Sequence, residues 1–146
     1  MITLEGIAIR TRSGGPMAPL TECEITPEAG IAGDFRRRPG RRQVTILSLE
    51  SWQKACAETG EMLDWKTRRA NFLITGYDFS PADVGRQVHI GTAVLEITVE
   101  TDPCHKMEAA CPGLLKALTP DWRGGVCCRV LKGGSVRNGD PVQIIG

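Results

Sequence analysis

The segment Ala93 to Cys111, AVLEITVETDPCHKMEAAC, constrains the fold more than any other part of the chain. Ala93, Leu95, Ile97 and Val99 alternate with Val94, Glu96, Thr98 and Glu100, the period of a strand with one buried face and one mostly solvated face. At Thr101 the alternation stops. Asp102 and Pro103 then read as an N-cap and a first helical residue, because Asp accepts the free amide hydrogens of a first turn and Pro lacks a donor that the turn leaves unpaired. A helix is expected to follow to about Cys111, ahead of Pro112-Gly113, with Cys104 in its first turn. A thiol among unpaired N–H groups at the positive end of a helix favours the thiolate, the form that attacks electrophiles and binds metals. His105 and Lys106 add positive charge. Most cysteines are inert packing, but Cys104 follows its strand instead of lying within it, and its neighbours are not core formers. It is the candidate reactive residue, expected to be accessible and to alkylate faster than Cys56, Cys127 or Cys128. No disulfide to Cys111 is expected, since two helical turns separate the pair by ~10.5 Å.

The rest of the chain reads as short strands punctuated by Gly and Pro. Ile2 to Arg10 is a first strand and Leu20 to Ile25 a second; Gly30-Ile31-Ala32-Gly33 marks a tight backbone path in which Asp34 is placed to orient an arginine. Gln43 to Leu47 is a strand, and Ser48 caps a helix to about Thr59, with Leu49, Trp52, Ala55 and Cys56 on its buried stripe and Gly60 as its stop. Asn71 to Gly76 is a strand and turn. Val88 and Ile90 face inward in the strand that leads into Ala93, and Leu114, Leu115 and Leu118 mark another helical turn or two. Gly124-Gly125 introduces the strand Val126 to Leu131, and two short strands follow. The expected fold is mostly β with short helices, an α+β chain built as a bent sheet or β-barrel, in one domain over residues 1–146. Its core is expected from Leu95, Ile97, Val99, Val44, Ile46, Trp52, Leu73, Val126, Val130 and Val142.

At 146 residues the chain buries a core without disulfide or metal staples. A formal net charge of +1 gives no support to a general nucleic-acid or membrane-surface role. No leader and no apolar run near the ~20 residues of a membrane span is evident, so cytoplasmic residence is expected. The six cysteines form no CxxC and only His89 and His105 accompany them, which argues against zinc. Cys127 and Cys128 point to opposite sides of a strand and are expected wholly or partly in packed elements; Cys56 is assigned to the core, and Cys23 has no evident role. Charge is concentrated in Arg36, Arg37, Arg38, Arg41 and Arg42, which Arg10 or Arg12 is able to approach. Guanidinium forks beside a Gly-rich turn match phosphate oxygens, and a solvated surface loop is the competing reading. Arg68 and Arg69 either serve the same anion or are exposed charges at a strand entry.

The succession GIAGDF, RQVTILSLESW, NFLITG, VGRQVHIGTAVLEITVETDPCHKM and RGGVCCRVLKGGSVRNGDPV closely resembles the MOSC family, the domain also found at the C-terminus of molybdenum cofactor sulfurases. The resemblance runs from about Gly6 to Val142, and its most specific part is the Pro-Cys-x-Lys segment after the long strand. It implies a barrel-like domain whose signature cysteine is Cys104. In relatives such as the mitochondrial amidoxime reducing component that cysteine gives a thiolate to molybdenum, basic residues hold the pterin phosphate of molybdopterin, and N-hydroxylated compounds are reduced. The family is also regarded as sulfur carriers with a persulfide on the same cysteine. The resemblance thus assigns Cys104 as catalytic residue and metal ligand, and Arg36, Arg37, Arg38, Arg41, Arg42, Arg68, Arg69 and Asn71 to the cofactor. The chain departs from the pattern at Ala70, where the cofactor-binding reductases tend to have proline, and in lacking the added N-terminal barrel domain of larger members. The first expectation is therefore a molybdenum-cofactor protein acting on a small molecule, with electrons from a donor protein. The second is a sulfur carrier fed by a cysteine desulfurase. The third is a binding or regulatory domain that keeps the fold without the activity. Neither nucleic acid nor membrane is an expected partner.

Overall fold

The alternation in Ala93–Glu100 becomes one stave of a closed barrel. A computed structural model describes residues 1–36 and 38–146. The chain runs through β1 (Ile2–Ile9), β2 (Ala18–Leu20), β3 (Glu22–Thr26), β4 (Gly30–Ile31), β5 (Val44–Ser48), α1 (Leu49–Thr59), β6 (Phe72–Thr75), β7 (Gln87–Ile90), β8 (Ala93–Glu100), α2 (His105–Ala110), α3 (Leu114–Leu118), β9 (Val126–Lys132), β10 (Gly134–Arg137) and β11 (Pro141–Ile145). Single 3-10 turns lie at Trp65–Arg68, Pro81–Asp83 and Pro120–Trp122. Seven strands in the order β11-β7-β8-β9-β5-β6-β1 close where β1 pairs with β11, Ile2 opposite Val142. β2 adds to β1 outside the ring, and β10-β3-β4 form a small separate sheet. No helix among the described residues is long and apolar enough to cross a membrane.

One barrel pair, β5 with β6, is parallel. Parallel neighbours cannot be joined by a hairpin, and α1 supplies the crossover. Its ends are where the sequence placed them: Ser48 Oγ accepts from the Ser51 amide, and Gly60 at φ 79° donates to the Ala57 and Cys56 carbonyls. Trp52, Ala55 and Cys56 turn inward, and with Leu47 and Leu73 on the outer barrel face, and Met107, Leu114 and Leu118 from α2 and α3, they make a second core outside the barrel. Val44, Ile46, Phe72, Leu95, Ile97, Val126, Cys128 and Val130 fill the interior.

Val99 departs from its expected place. The β8–β9 register slips between Ile97 and Val99, where two steps along β8 meet one along β9, the signature of a bulge. Thr98 is therefore buried and Val99 half-exposed. The Thr98 hydroxyl is set between the carbonyl oxygens of Arg41 and Cys127 and anchors the arginine-bearing loop to β9.

The expected second strand, Leu20 to Ile25, is two strands belonging to different sheets. The helix after Pro103 also starts later than expected. Beyond Glu100 the chain continues alongside β9, with Thr101 donating to Gly125 O at 2.9 Å and Arg68 Nη2 donating to Thr101 O at 2.8 Å. Asp102 and Pro103 stay outside the helix, Cys104 is the N-cap in extended conformation (φ −128°, ψ −179°), and α2 spans only His105–Ala110. The contact depends on Gly124-Gly125: a Cβ on Gly125 would collide with Ile46 O, and one on Gly124 would sit 2.5 Å from Thr101 O.

Candidate functional site

Side chains on the strands alternate, so Thr45 lies opposite in direction to Val44 and Ile46, and Cys127 opposite to Val126 and Cys128. Thr45 and Cys127 are register partners across β5–β9, and they floor a cavity of about 200 Å³ on the outside of the barrel. Asn71 completes the floor. Its Oδ1 accepts from the Thr45 amide at 3.1 Å and its Nδ2 donates to Ala8 O at 3.2 Å, tying β1 to β5 while an edge faces the cavity. The rim is made by the end of β1, the β4–β5 loop, the 3-10 turn at Trp65–Arg68 with Arg69, and the segment from Thr101 to Met107.

Cys104 stands on that rim, exposed to solvent. Cys104 is the N-cap of the six-residue α2 and its side chain makes no capping hydrogen bond; the cations lining the cavity that it borders are arginines and Lys106. Arg10, Arg36, Arg42, Arg68 and Arg69 all line the cavity. Arg36, Arg42, Arg68 and Arg69 thus share this cavity with Cys104. Arg38 and Arg41 do not; they line an adjoining, more open cavity of about 670 Å³ that shares Arg36 and Arg42 with the first. Arg37 lies outside the described residues.

Arg68 is the deepest of these cations, 7% exposed. Its Nε donates to Gly124 O at 3.1 Å and its Nη2 to Thr101 O. Burial lowers its pKa, and the nearby Cys104 and Cys127 sulfurs, followed by Asp102 and Glu100, push it back up. Among the described residues none of the five cavity arginines forms a salt bridge. Their charges also crowd one another: the Arg10 pKa is lowered by burial and then by Arg69 and Arg36, against a smaller opposing pull from Asp34. Asp34 orients the cluster through the backbone, accepting from the amides of Arg10 and Arg36 at 3.1 Å each. Arg10 also lies over the Phe35 ring, 5.7 Å from its centroid. Arg69 is held at φ 66°, a left-handed conformation uncommon for a side chain of this size, and donates to Gly15 O.

Cys127, expected wholly or partly in a packed element, lies in one, β9. It is buried, but against the cavity: its Sγ is 3.2 Å from Thr101 Oγ1 and accepts from Arg42 Nη1 at 3.9 Å. Cys128, one residue on, is in the barrel interior, where burial pushes its thiol pKa far up. Cys23 packs against the core from outside, its pKa raised to about 12 by burial and Glu24. Arg10 was legible as a basic residue free to join the loop cluster. Cys127 was half legible: alternation gave the outward direction of its side chain, but not that a loop distant in sequence would roof that face.

The arrangement offers an anion a set of unpaired guanidinium groups beside one exposed and one sheltered thiol. The same fold recurs in solved structures. YuaD from Bacillus subtilis superposes with a TM-score of 0.81 at 22% identity, covering 99% of this chain and 96% of that one. YiiM from Geobacillus stearothermophilus gives 0.77 at 18% identity over 100% and 76%, and YiiM from Escherichia coli 0.73 at 16% over 99% and 70%. No curated protein sequence matches the chain. The MOSC domain model matches residues 11–143, from the cavity rim to the strand that closes the barrel, and the chain belongs to the MOSC domain family.

Proposed function

We propose that the cavity at Cys104 binds the molybdenum cofactor, with the Cys104 thiolate as protein ligand to the metal and the arginines on the phosphate. The observation that carries this reading is the gathering of five arginines without a salt-bridge partner around one exposed thiol. Arg68 is buried, Arg10 and Arg69 are half-buried and Arg36 and Arg42 are exposed; a buried cation without a counter-charge is costly unless an anion completes the site, and a soft sulfur donor beside hard phosphate grips suits a ligand with both kinds of group. The donor set fits the cofactor. In volume the inner cavity is below the ~300–1,000 Å³ usual for ligand pockets, and the adjoining cavity reached past Arg36 and Arg42 supplies the remainder. When bound, the cofactor supplies two-electron redox chemistry for reduction of an N-hydroxylated small molecule, with electrons from a donor protein. The chain's own part is to fix Cys104 on the rim, to hold Arg68 against the Thr101 and Gly124 carbonyls, and to present Arg10, Arg36, Arg42 and Arg69 to the phosphate.

The test is metal analysis and pterin extraction on protein made in a molybdenum-replete host. The expected result is molybdenum and pterin near one per chain, both lost in Cys104→Ser. Wild-type protein free of both would sink this reading.

A second reading, a sulfur carrier holding a persulfide on Cys104, is favoured by one specific feature, the second thiol in a cavity too small by itself for a large ligand. It needs only an accessible cysteine and a sulfur donor such as a cysteine desulfurase. Mass spectrometry after exposure to a persulfide donor tests it, through a gain of ~32 Da on the Cys104 peptide.

A further inference from the structure

Cys127 is a second thiol on the cavity to which neither reading gives a chemical step. Three observations join it to Cys104. Both residues line one cavity of about 200 Å³. Both sulfurs act on the same buried cation, Arg68. Thr101, whose hydroxyl is 3.2 Å from Cys127 Sγ, precedes Cys104 by three residues, a reach of at most ~11 Å for an extended chain.

The two thiols are mounted differently. Cys127 is fixed on β9 between its partners on β5 and β8. Cys104 follows a segment without regular structure, and among the described residues neither Asp102 nor Cys104 donates a backbone hydrogen bond, the Cys104 carbonyl being held by Met107 N. One thiol is thus placed to be loaded from solution and the other, roofed by the arginine loop, to act on what has been loaded.

We propose that Cys127 is the resolving thiol that releases the sulfur carried by Cys104 as sulfide, an activity that rests on the sulfur-carrier reading. The Cys127 sulfur attacks Cys104 Sγ of the persulfide and forms a Cys104–Cys127 disulfide. The bond between Cys104 Sγ and the outer sulfur breaks, and its electron pair leaves with the outer sulfur. The Cys127 proton passes to that sulfur, so the product is hydrosulfide. The sulfane sulfur is reduced to sulfide while the two cysteine sulfurs are oxidised to the disulfide, and no further oxidant or reductant enters this step. A dithiol reductant then returns both thiols. Arg42 contacts the attacking Cys127 Sγ, and Arg68 lies near both sulfurs.

The experiment loads wild type, Cys127→Ser and Cys127→Ala with glutathione persulfide, removes excess donor, and follows sulfide release and peptide masses without reductant. Wild type is expected to release about one sulfide per chain loaded and to gain a Cys104–Cys127 disulfide, ~2 Da lighter than the dithiol. Both variants are expected to keep the Cys104 persulfide and to release sulfide at least ~10-fold more slowly. Equal lifetimes of the persulfide in all three, or sulfide release from wild type without a Cys104–Cys127 peptide, would overturn the resolving role and leave the carrier reading standing. Absence of any Cys104 persulfide in the variants would remove both. Thermal melts accompany each variant, and the disulfide mapping on wild type decides the matter even if a variant fails to fold.

Discussion

The two sides of β9 are one residue apart and built on opposite principles. Inside, Cys128 is surrounded by Ile97, Val44, Ile46 and Val130 with no accessible surface. Outside, Cys127 is equally buried, but its neighbours are an arginine and a threonine hydroxyl. The interior satisfies itself: its groups are apolar, and the backbone polar groups around it are paired in a ring without free edges. The cavity does not, because among the described residues its five arginines form no salt bridge, although Asp34 and Asp102 also line it. The same residue type on the same strand is structural filling on one side and available chemistry on the other, and the contents of each side decide which.

The strongest way to break this comparison is to disturb the interior. Phe72→Ala should cost about 3–5 kcal/mol in chemical denaturation, a large share of a marginal stability of ~5–15 kcal/mol, while the folded fraction still alkylates at Cys104. Equal loss from a cavity residue such as Arg36→Ala would erase the distinction. Next in size is Arg68→Met. It leaves the Thr101 and Gly124 carbonyls without their charged donor and should cost about 1.5–3 kcal/mol. It should also weaken binding of inorganic pyrophosphate by calorimetry at least ~10-fold, against a change of less than ~3-fold for Arg38→Ala on the outer cavity.

A pH titration sharpens the contrast between the two thiols. Because burial raises the Cys128 pKa in the fold, the native protein keeps that proton where the unfolded chain, with a thiol near ~8.5, has lost it. Its contribution is present below ~8.5 and is lost as pH rises, by up to ~1.4 kcal/mol per pH unit. Melting temperature should therefore fall above this pH in wild type and fall less steeply in Cys128→Ala. An identical slope in both would mean that Cys128 is not held neutral. The smallest effect expected is on serine replacement. Cys127→Ser keeps a group able to bond Thr101 and should change stability by under ~0.5 kcal/mol, whereas Cys128→Ser buries a hydroxyl among hydrocarbons at about 1–3 kcal/mol.

How much of this was legible varies by element for physical reasons. The caps of α1 are local, and Ser48 and Gly60 were read correctly because a helix end depends on a few adjacent residues. The barrel class followed from strand spacing, and all of the expected core is buried except Val99. That residue failed because a bulge is decided by the partner strand, and nothing in AVLEITVE signals the slip opposite Cys127 and Cys128. Asp102-Pro103 carries a real helix-start signal, overridden by tertiary bonds from Gly125 and Arg68 that hold the chain against β9. The split of the arginines between two cavities depends on how the β4–β5 loop lies across the sheet, which residue order alone does not encode.

The closing pair of the barrel brings Ile2 into register with Val142, so the first strand waits for the last. On a ribosome adding ~5–20 residues per second, β1 is exposed for on the order of 10 s before its final neighbour is made. Long-range pairing of this kind is slow to form even afterwards. During that interval Leu4, Ile7 and Ile9 have no completed interior to enter, and the apolar face of β1 stays open to other partners.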